Sequence, residues 1–189
     1  MRIVKGVCVA AFLAAGCTSR PAVSPSQPAP WGALTSPTAA MSIVFSDICM
    51  TAVKDQRSIE DLALNHWLRA VPPRSTGSPM ATAAWRLASY SNVFVLALPD
   101  GACSASVEAG DPAALRARAV DLLALHGAFQ EGQTFPGDDS RRAAWCTAEA
   151  RRPLIAVLVE RTRGRRPAFV ANVFRAQDAR PPFCAPAPG

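Results

Sequence analysis

His66 and His126 are the only two histidines in the chain and its first candidates for a general base. His66 lies beside Trp67 in a segment with helical spacing, and His126 ends a second such segment just before Gly127. A catalytic base needs a carboxylate or a nucleophile within hydrogen-bond reach. The sequence places neither group beside these histidines, and it contains no GxSxG, HExxH or SxxK motif. A surface or packing role is therefore favoured for both residues, and a small hydrolase using His66 or His126 is the alternative.

Asp138 and Asp139 are adjacent carboxylates that follow Gly137. Such a pair can bind a metal ion or share a proton. Arg141 and Arg142 come shortly afterwards, so neutralisation by these guanidinium groups is the simpler interpretation. We therefore predict no metal site and no cofactor.

Arginines near the C-terminal end of the chain could form an anion site. They flank three runs with strand character, and in an antiparallel meander the start of the first strand, the end of the second and the start of the third share one edge. The residues expected at that edge are Arg141, Arg142, Arg161, Arg163, Arg165 and Arg166. Their guanidinium groups would suit lipid phosphates, phosphorylated glycans or an acidic protein. A solvated hairpin tip is the alternative, and nucleic acid is not expected because no aromatic side chain lies among these arginines.

The first sixteen residues have the pattern of an export signal, with basic Arg2 and Lys5 before a short apolar run. That run is shorter than the roughly 20 residues that span a bilayer. It ends in Leu13-Ala14-Ala15-Gly16-Cys17, which resembles the lipobox of bacterial lipoproteins. The resemblance implies cleavage before Cys17 and acylation of this cysteine, and the threonine that follows implies the periplasmic face of the outer membrane. A soluble periplasmic protein with an ordinary cleaved signal is the alternative.

Four cysteines remain in the mature chain, because Cys8 would leave with the signal and Cys17 would carry lipid. They are Cys49, Cys103, Cys146 and Cys184, and their spacing does not suggest a zinc site. An even number of cysteines in an oxidising compartment predicts two disulfides. Of three possible pairings we favour Cys49–Cys103 with Cys146–Cys184, and Cys103–Cys146 is the main rival.

Composition divides the chain into four parts: a signal at 1–16, a Pro-, Ser- and Ala-rich tether at 17–40, one domain at 41–180 and a Pro-rich tail at 181–189. The chain is 50% hydrophobic and 18% charged, which is typical of a folded protein. The tether has almost no charge and too few large apolar side chains to fold alone. A two-domain enzyme with separate cofactor and substrate halves is excluded, because the folded part has the size of one domain.

Hydrophobic periodicity predicts helices at 42–54 and from Ser58 to Val71, then a hairpin of strands at 92–98 and 103–107. Asp111 and Pro112 start a further helix whose buried side includes Phe129, and 135–140 follows as a loop. The final strands are expected at 143–149, 154–161 and 167–174. The prediction is therefore an α+β fold with a mainly antiparallel five-strand sheet, helices on one face and the order ααββαβββ.

One further resemblance concerns the domain. Phe45-Ser46-Asp47-Ile48-Cys49, the apolar run at 94–98, the segment around Gly101 and Cys103, and Gly110-Asp111-Pro112 are similar to a group of small exported proteobacterial proteins. The resemblance implies the order of the first elements and the Cys49–Cys103 pairing. It implies no reaction. The sequence therefore predicts a lipid-anchored periplasmic protein with a binding or structural role in the envelope, whose partners are the bilayer and an anionic envelope component or an envelope protein.

Overall fold

The computed structural model describes residues 36–137, 139–161 and 166–185. The helices are α1 (Pro37–Met41), continued by a π-helical stretch (Ser42–Met50) and by α2 (Thr51–Asp55), then α3 (Ile59–Asn65) and α4 (Pro112–His126). The strands are β1 (Leu68–Val71), β2 (Ala83–Leu87), β3 (Val93–Ala97), β4 (Cys103–Val107), β5 (Phe129–Gly137), β6 (Ser140–Thr147), β7 (Leu154–Arg161) and β8 (Phe169–Arg175). Short 3-10 turns lie at Pro73–Thr76, Pro99–Gly101 and Pro182–Cys184. The predicted signal, Cys17 and the tether up to residue 35 lie outside the described residues.

The strands form one eight-stranded antiparallel sheet in the order β1-β2-β3-β4-β8-β7-β6-β5. β1 to β4 follow one another as a meander, and β5 to β8 form a second meander that runs back towards them. β4 and β8 join the two, with Ala105 opposite Ala171. The connection that contains α4 carries the chain from β4, in the middle of the sheet, to β5 at its far edge. Both halves of the chain therefore contribute to one continuous sheet.

The predicted five-strand sheet is wrong, because β1, β2 and β5 were not expected. The helix predicted to reach Val71 ends at Asn65, and Trp67 takes a left-handed conformation (φ 61°) that turns the chain into β1. At the other edge, Gly127 ends α4, and Phe129 begins a strand instead of extending the helix. The segment 135–140, predicted as a loop, mostly belongs to β5 and β6. β5 is mostly exposed and polar, which does not favour a strand. It forms because it pairs with β6, so tertiary context overrides its local preference.

Several predicted features are confirmed. Ser58 caps α3, with its hydroxyl accepting a hydrogen bond from the backbone N–H of Asp61 at 3.2 Å. Asp111 caps α4 in the same way, and Pro112 is the first helical residue. β7 has the predicted bounds, and β6, β7 and β8 form the predicted meander. The opening helical segment differs from the prediction in two ways. It starts at Pro37 instead of residue 42, and its middle part, Ser42–Met50, is π-helical.

The helices cover one face of the sheet, which we call the helix face. Alternate residues of the central strands point into this layer, among them Val95, Ala105 and Phe169, and all three are buried. Phe45 and Ile48 of the π-helix and Leu115 of α4 pack against them from the helical side. Burial of large apolar side chains on this face is the main source of the domain's stability.

The opposite face, which we call the open face, carries two separate covers. The chain around Ala81 packs on Ala84 and Phe94 near one edge. The C-terminal turn packs on Cys146 and Ile155 near the other. The first residues of the predicted tail are therefore packed on the sheet, and residues 186–189 lie outside the described part. The middle of the open face, between these two covers, is left uncovered.

Both disulfides are present with the favoured pairing. Cys49–Cys103 joins the π-helix to β4 on the helix face, and Cys146–Cys184 joins β6 to the C-terminal turn on the open face. One disulfide thus fastens the π-helix to the helix face of the sheet, and the other fastens the C-terminal turn to the open face. Among the helices of the described residues, none is long and apolar enough to cross a membrane.

Candidate functional site

The structure brings one of the two histidines to a hydroxyl that the sequence did not connect with it. His126, the last residue of α4, lies 2.8 Å through Nε2 from Oγ of Ser46 in the π-helix. Ser46 is only 7% exposed, and His126 is partly buried. The two residues meet because the opening helix and α4 lie side by side on the helix face. No local sequence signal could have found this pair, because 80 residues separate its members.

Burial and nearby charged groups shift the pKa of His126 and the pKa of Asp47, the residue next to Ser46. Burial lowers the pKa of His126 below its usual value, and the positive charge of Lys54 lowers it further, against smaller opposite effects of Asp47 and Asp55. Burial raises the pKa of Asp47, and the positive charge of His66 opposes this effect. Both predicted histidines therefore lie within electrostatic range of one carboxylate, which the sequence analysis did not foresee.

This cluster also holds the helices together. Lys54 donates a hydrogen bond from Nζ to the backbone carbonyl of His126 at 2.9 Å, at the end of α4 where a cation is favoured by the helix dipole. Ser46 and Lys54 thus fasten the opening helical segment to the last turn of α4. A serine and a histidine at this distance are also the pair that nucleophilic catalysis uses. The low exposure of Ser46 limits the access that a substrate would have.

The predicted arginine edge is divided between the two faces of the sheet. Arg141 lies opposite Glu160 on the helix face, whereas Arg142 lies opposite Val159 on the open face. Arg161, opposite Ser140, shares the open face with Arg142. All three lie at the predicted end of the sheet, but successive residues of a strand point to opposite sides, so they do not form one surface.

Acidic residues accompany the arginines on the helix face. Arg116 of α4 lies 2.9 Å through Nη2 from Glu131 and 3.7 Å through Nε from Glu160, which is the residue opposite Arg141. These carboxylates reduce the positive potential on that side. Arg166 lines a separate open cleft beside Glu108 and Asn92. Arg163 and Arg165 lie outside the described residues, so anion binding by the full set of six stays a prediction.

Metal binding finds no support within the described ranges. No group of three or more histidine, cysteine, aspartate or glutamate side chains gathers there in a way that could hold a metal ion. Asp139 lies in the turn between β5 and β6, and Asp138 lies outside the described residues. Cys49, Cys103, Cys146 and Cys184 are all in disulfides.

A cleft of about 320 Å³ occupies the uncovered middle of the open face. Its floor comes from neighbouring strands in register: Leu96 of β3 is opposite Ser104 of β4, and Ser104 is opposite Asn172 of β8. One row further along, Ser106 is opposite Val170. The segment Thr76–Met80 contributes from the side of β2 and β3, and Arg161 from the side of β7. Sequence analysis identified Arg161 but missed the rest, because the cleft exists only once β4 and β8 are paired.

Arg161 is the only charged residue among the described residues that line this cleft. Its side chain is partly buried, and its Nε atom has no hydrogen-bond partner among the described residues. The Nε atoms of Arg116 and Arg175 are likewise buried without a hydrogen-bond partner among the described residues, so it is the charge of Arg161 that distinguishes the cleft. Comparison of the chain with family models, curated proteins and solved structures finds no match. The site must therefore be interpreted from its own chemistry.

Proposed function

We propose that this chain is a lipid-anchored protein of the bacterial envelope that binds an anionic envelope component or an envelope protein. The observation that carries this proposal is the pair of disulfides, which accounts for all four cysteines after Cys17. Disulfides persist in oxidising compartments and are rare in the cytosol. They therefore support export, which the signal-like first sixteen residues would direct. The threonine after Cys17 favours the periplasmic face of the outer membrane as the destination.

Acylation of Cys17 would provide the anchor, since two or three acyl chains give stable membrane attachment where one does not. The segment 18–35 would then act as a tether between bilayer and domain, because the last residues of the predicted tether belong to helix α1. A soluble periplasmic protein is the alternative, and it would follow if an ordinary signal peptidase cleaved the chain elsewhere.

Replacing Cys17 by alanine in the full chain, expressed in a bacterial host, tests the anchor. We expect the wild-type protein to incorporate radiolabelled palmitate and to fractionate with the outer membrane, and the variant to do neither. Cys8→Ala is the matched control, because Cys8 would be removed with the signal. A Cys17→Ala variant that stays with the membrane after a salt wash would show that acylation is not the anchor.

The second candidate is a small hydrolase, and the 2.8 Å contact between Ser46 and His126 is the observation that favours it. In that function His126 would accept the hydroxyl proton of Ser46 while Oγ of Ser46 attacks an ester carbonyl, and it would give this proton to the alcohol that leaves as the ester C–O bond breaks; water would then hydrolyse the acyl-serine and release the acid. The experiment is labelling of the purified protein with a fluorophosphonate, which reacts with activated serines. Labelling that Ser46→Ala abolishes and Ser91→Ala leaves intact would establish this function, and absence of labelling would exclude Ser46 as a nucleophile.

A further inference from the structure

We propose that the cleft on the open face binds a small organic anion with one carboxylate group and an apolar body. The carboxylate would lie against Arg161, and the apolar part would lie between Val170 on the floor and Met80 at the rim. This inference gives the chemical class of a ligand for the binding role proposed above. It does not depend on where in the envelope the protein is anchored.

The charge of the ligand follows from the charge of the lining. Arg161 brings a positive group into a partly enclosed space, and none of the described residues that line the cleft is a carboxylate. A planar carboxylate matches the fork of the guanidinium and accepts two of its hydrogen bonds. Glu160, the acidic residue next in sequence, lies on the helix face with Arg116 and does not neutralise Arg161.

The polarity of the floor indicates where the ligand would be held. Ser104 and Ser106 are 2% and 6% exposed, yet both line the cleft, so their hydroxyl groups lie at its bottom. These two serines are among the only three polar residues in the buried set of the described chain. Asn172, opposite Ser104, adds an amide that can donate or accept. Nearly buried hydroxyl groups at the bottom of a cleft favour a ligand with hydrogen-bonding groups.

The apolar part of the lining limits the rest of the ligand. Leu96, Leu98 and Val170 lie along the cleft, and Met80 stands at its rim with 62% of its surface exposed. An exposed methionine beside a cleft can fold onto an apolar ligand because its side chain is flexible. The volume of about 320 Å³ is at the lower end of the range for ligand pockets. The ligand is therefore small, with a body the size of one ring or a short chain.

The experiment uses the full chain with Cys17→Ala in every arm, so that its result is independent of membrane anchoring. Phenylacetate and its neutral isostere phenylacetamide are titrated into the protein, and binding is followed by the backbone amide shifts of β4 and β8 in ¹H–¹⁵N NMR spectra. We expect phenylacetate to shift the amides of Ser104 and Asn172 and to bind about tenfold more tightly than the amide, because one charged hydrogen-bonded contact is lost.

Two arginine variants separate a specific contact from general attraction. Arg161→Gln is expected to weaken phenylacetate binding about tenfold, whereas Arg142→Gln, which removes the same charge from the same face outside the cleft, should leave it within about twofold. Since Arg161 is partly buried, its replacement could disturb the fold. The exposed Met80 supplies a second variant. Met80→Ser should weaken the binding of phenylacetate without changing the backbone amide shifts of the unliganded protein in β4 and β8.

Four results would overturn the inference: no saturable shift with phenylacetate, equal affinity for acid and amide, equal effects of Arg161→Gln and Arg142→Gln, or an undiminished affinity in Met80→Ser. Inorganic phosphate is the remaining arm. Binding of phosphate as tight as that of phenylacetate would show a simple ion site and would overturn the apolar part of the proposal. None of these results bears on the Cys17 anchor, whose test is membrane fractionation.

Discussion

Oγ of Ser46 and Nε2 of His126 are 2.8 Å apart, and this hydrogen bond joins the π-helical stretch to the last turn of α4. π-helical turns are rare and often occur at functional sites. Here the stretch carries Ser46 towards α4 and also carries Cys49 to its disulfide with β4. The opening segment is therefore fastened at two points, to a helix through a hydrogen bond and to the sheet through a covalent bond.

Replacing Ser46 by alanine should destabilise the domain. The hydroxyl is nearly buried, and its loss leaves a partly buried imidazole nitrogen without its partner, which costs about 1–3 kcal/mol. Equilibrium urea unfolding measures the change. Ser91→Ala, at an exposed position, is the matched control and should change the free energy of unfolding by less than about 0.5 kcal/mol. Equal effects of the two substitutions would show that the Ser46 hydrogen bond contributes nothing.

The lowered pKa of His126 predicts that stability falls in mild acid. Because the folded protein holds this proton less tightly than the unfolded chain does, the unfolded state binds more protons below the usual histidine value of 6.5. Stability therefore rises with pH in this window and is lost as the pH falls below it. Urea unfolding between pH 5 and pH 7.5 should show this slope in the wild type and a shallower one in His126→Gln.

Asp47 should act in the opposite direction. Its raised pKa means that the folded protein binds this proton more tightly than the unfolded chain, so its contribution decreases as the pH rises above 3.8. The negative charge of Asp47 also raises the pKa of His126, so Asp47→Asn should lower that pKa further and make the rise of stability with pH due to His126 steeper. An unchanged or shallower slope in Asp47→Asn would contradict the assigned direction.

The features that the sequence predicted well are those with strong local signals. Asp111 followed by Pro112 starts a helix through its own side chain and its fixed φ, and the apolar run of β7 has abrupt polar ends. β1, β2 and β5 lack such signals. β2 is five residues with Trp85 and Leu87 as its only large apolar side chains, and β5 is mostly exposed. Those strands form because a neighbouring strand pairs with them, which is a tertiary effect.

The candidate sites needed register as well as topology. Sequence reasoning placed Arg141, Arg142 and Arg161 at one end of a meander, which is where they lie. Which face each residue occupies depends on its pairing partner, and a shift of one residue would exchange the faces. The opposition of Arg161 to Ser140 places its side chain over the cleft, and the opposition of Arg141 to Glu160 places that side chain among the helices. The contact between Ser46 and His126 depends similarly on the packing of two distant helices.

The two disulfides should protect different parts of the molecule. Removing either one as a double alanine variant should cost about 2–5 kcal/mol. In the variant lacking Cys146–Cys184, hydrogen exchange should increase first in the C-terminal turn and in β5, which that turn contacts. In the variant lacking Cys49–Cys103, exchange should increase first in the opening helical segment. Mass mapping of the non-reduced protein is the control, and any peptide linking Cys103 to Cys146 would contradict the pairing.

Gly132 in β5 offers a test of how closely the C-terminal turn packs on the open face. A Cβ atom at this position would overlap the backbone carbonyl of Phe183 and would crowd Cα of Cys184, both in that turn. Backbone atoms cannot move aside as a flexible side chain can, so Gly132→Ala should destabilise the domain by about 1–3 kcal/mol, as overpacking does. Urea unfolding of the oxidised protein measures this effect.

The disulfide should decide how large that effect is. Cys146–Cys184 holds the turn against the strand, so in its presence the added methyl group cannot be relieved by movement of the turn. When Cys146 and Cys184 are both alanine, the turn can move away, and Gly132→Ala should then cost less than about 0.5 kcal/mol. The double-mutant cycle therefore predicts strong coupling between Gly132 and the disulfide. Ala148→Gly, in the connection after β6 and away from the turn's contact with Gly132, is the additive control. A Gly132→Ala substitution that costs the same with and without the disulfide would show that the turn is held in place by its own packing rather than by the covalent link.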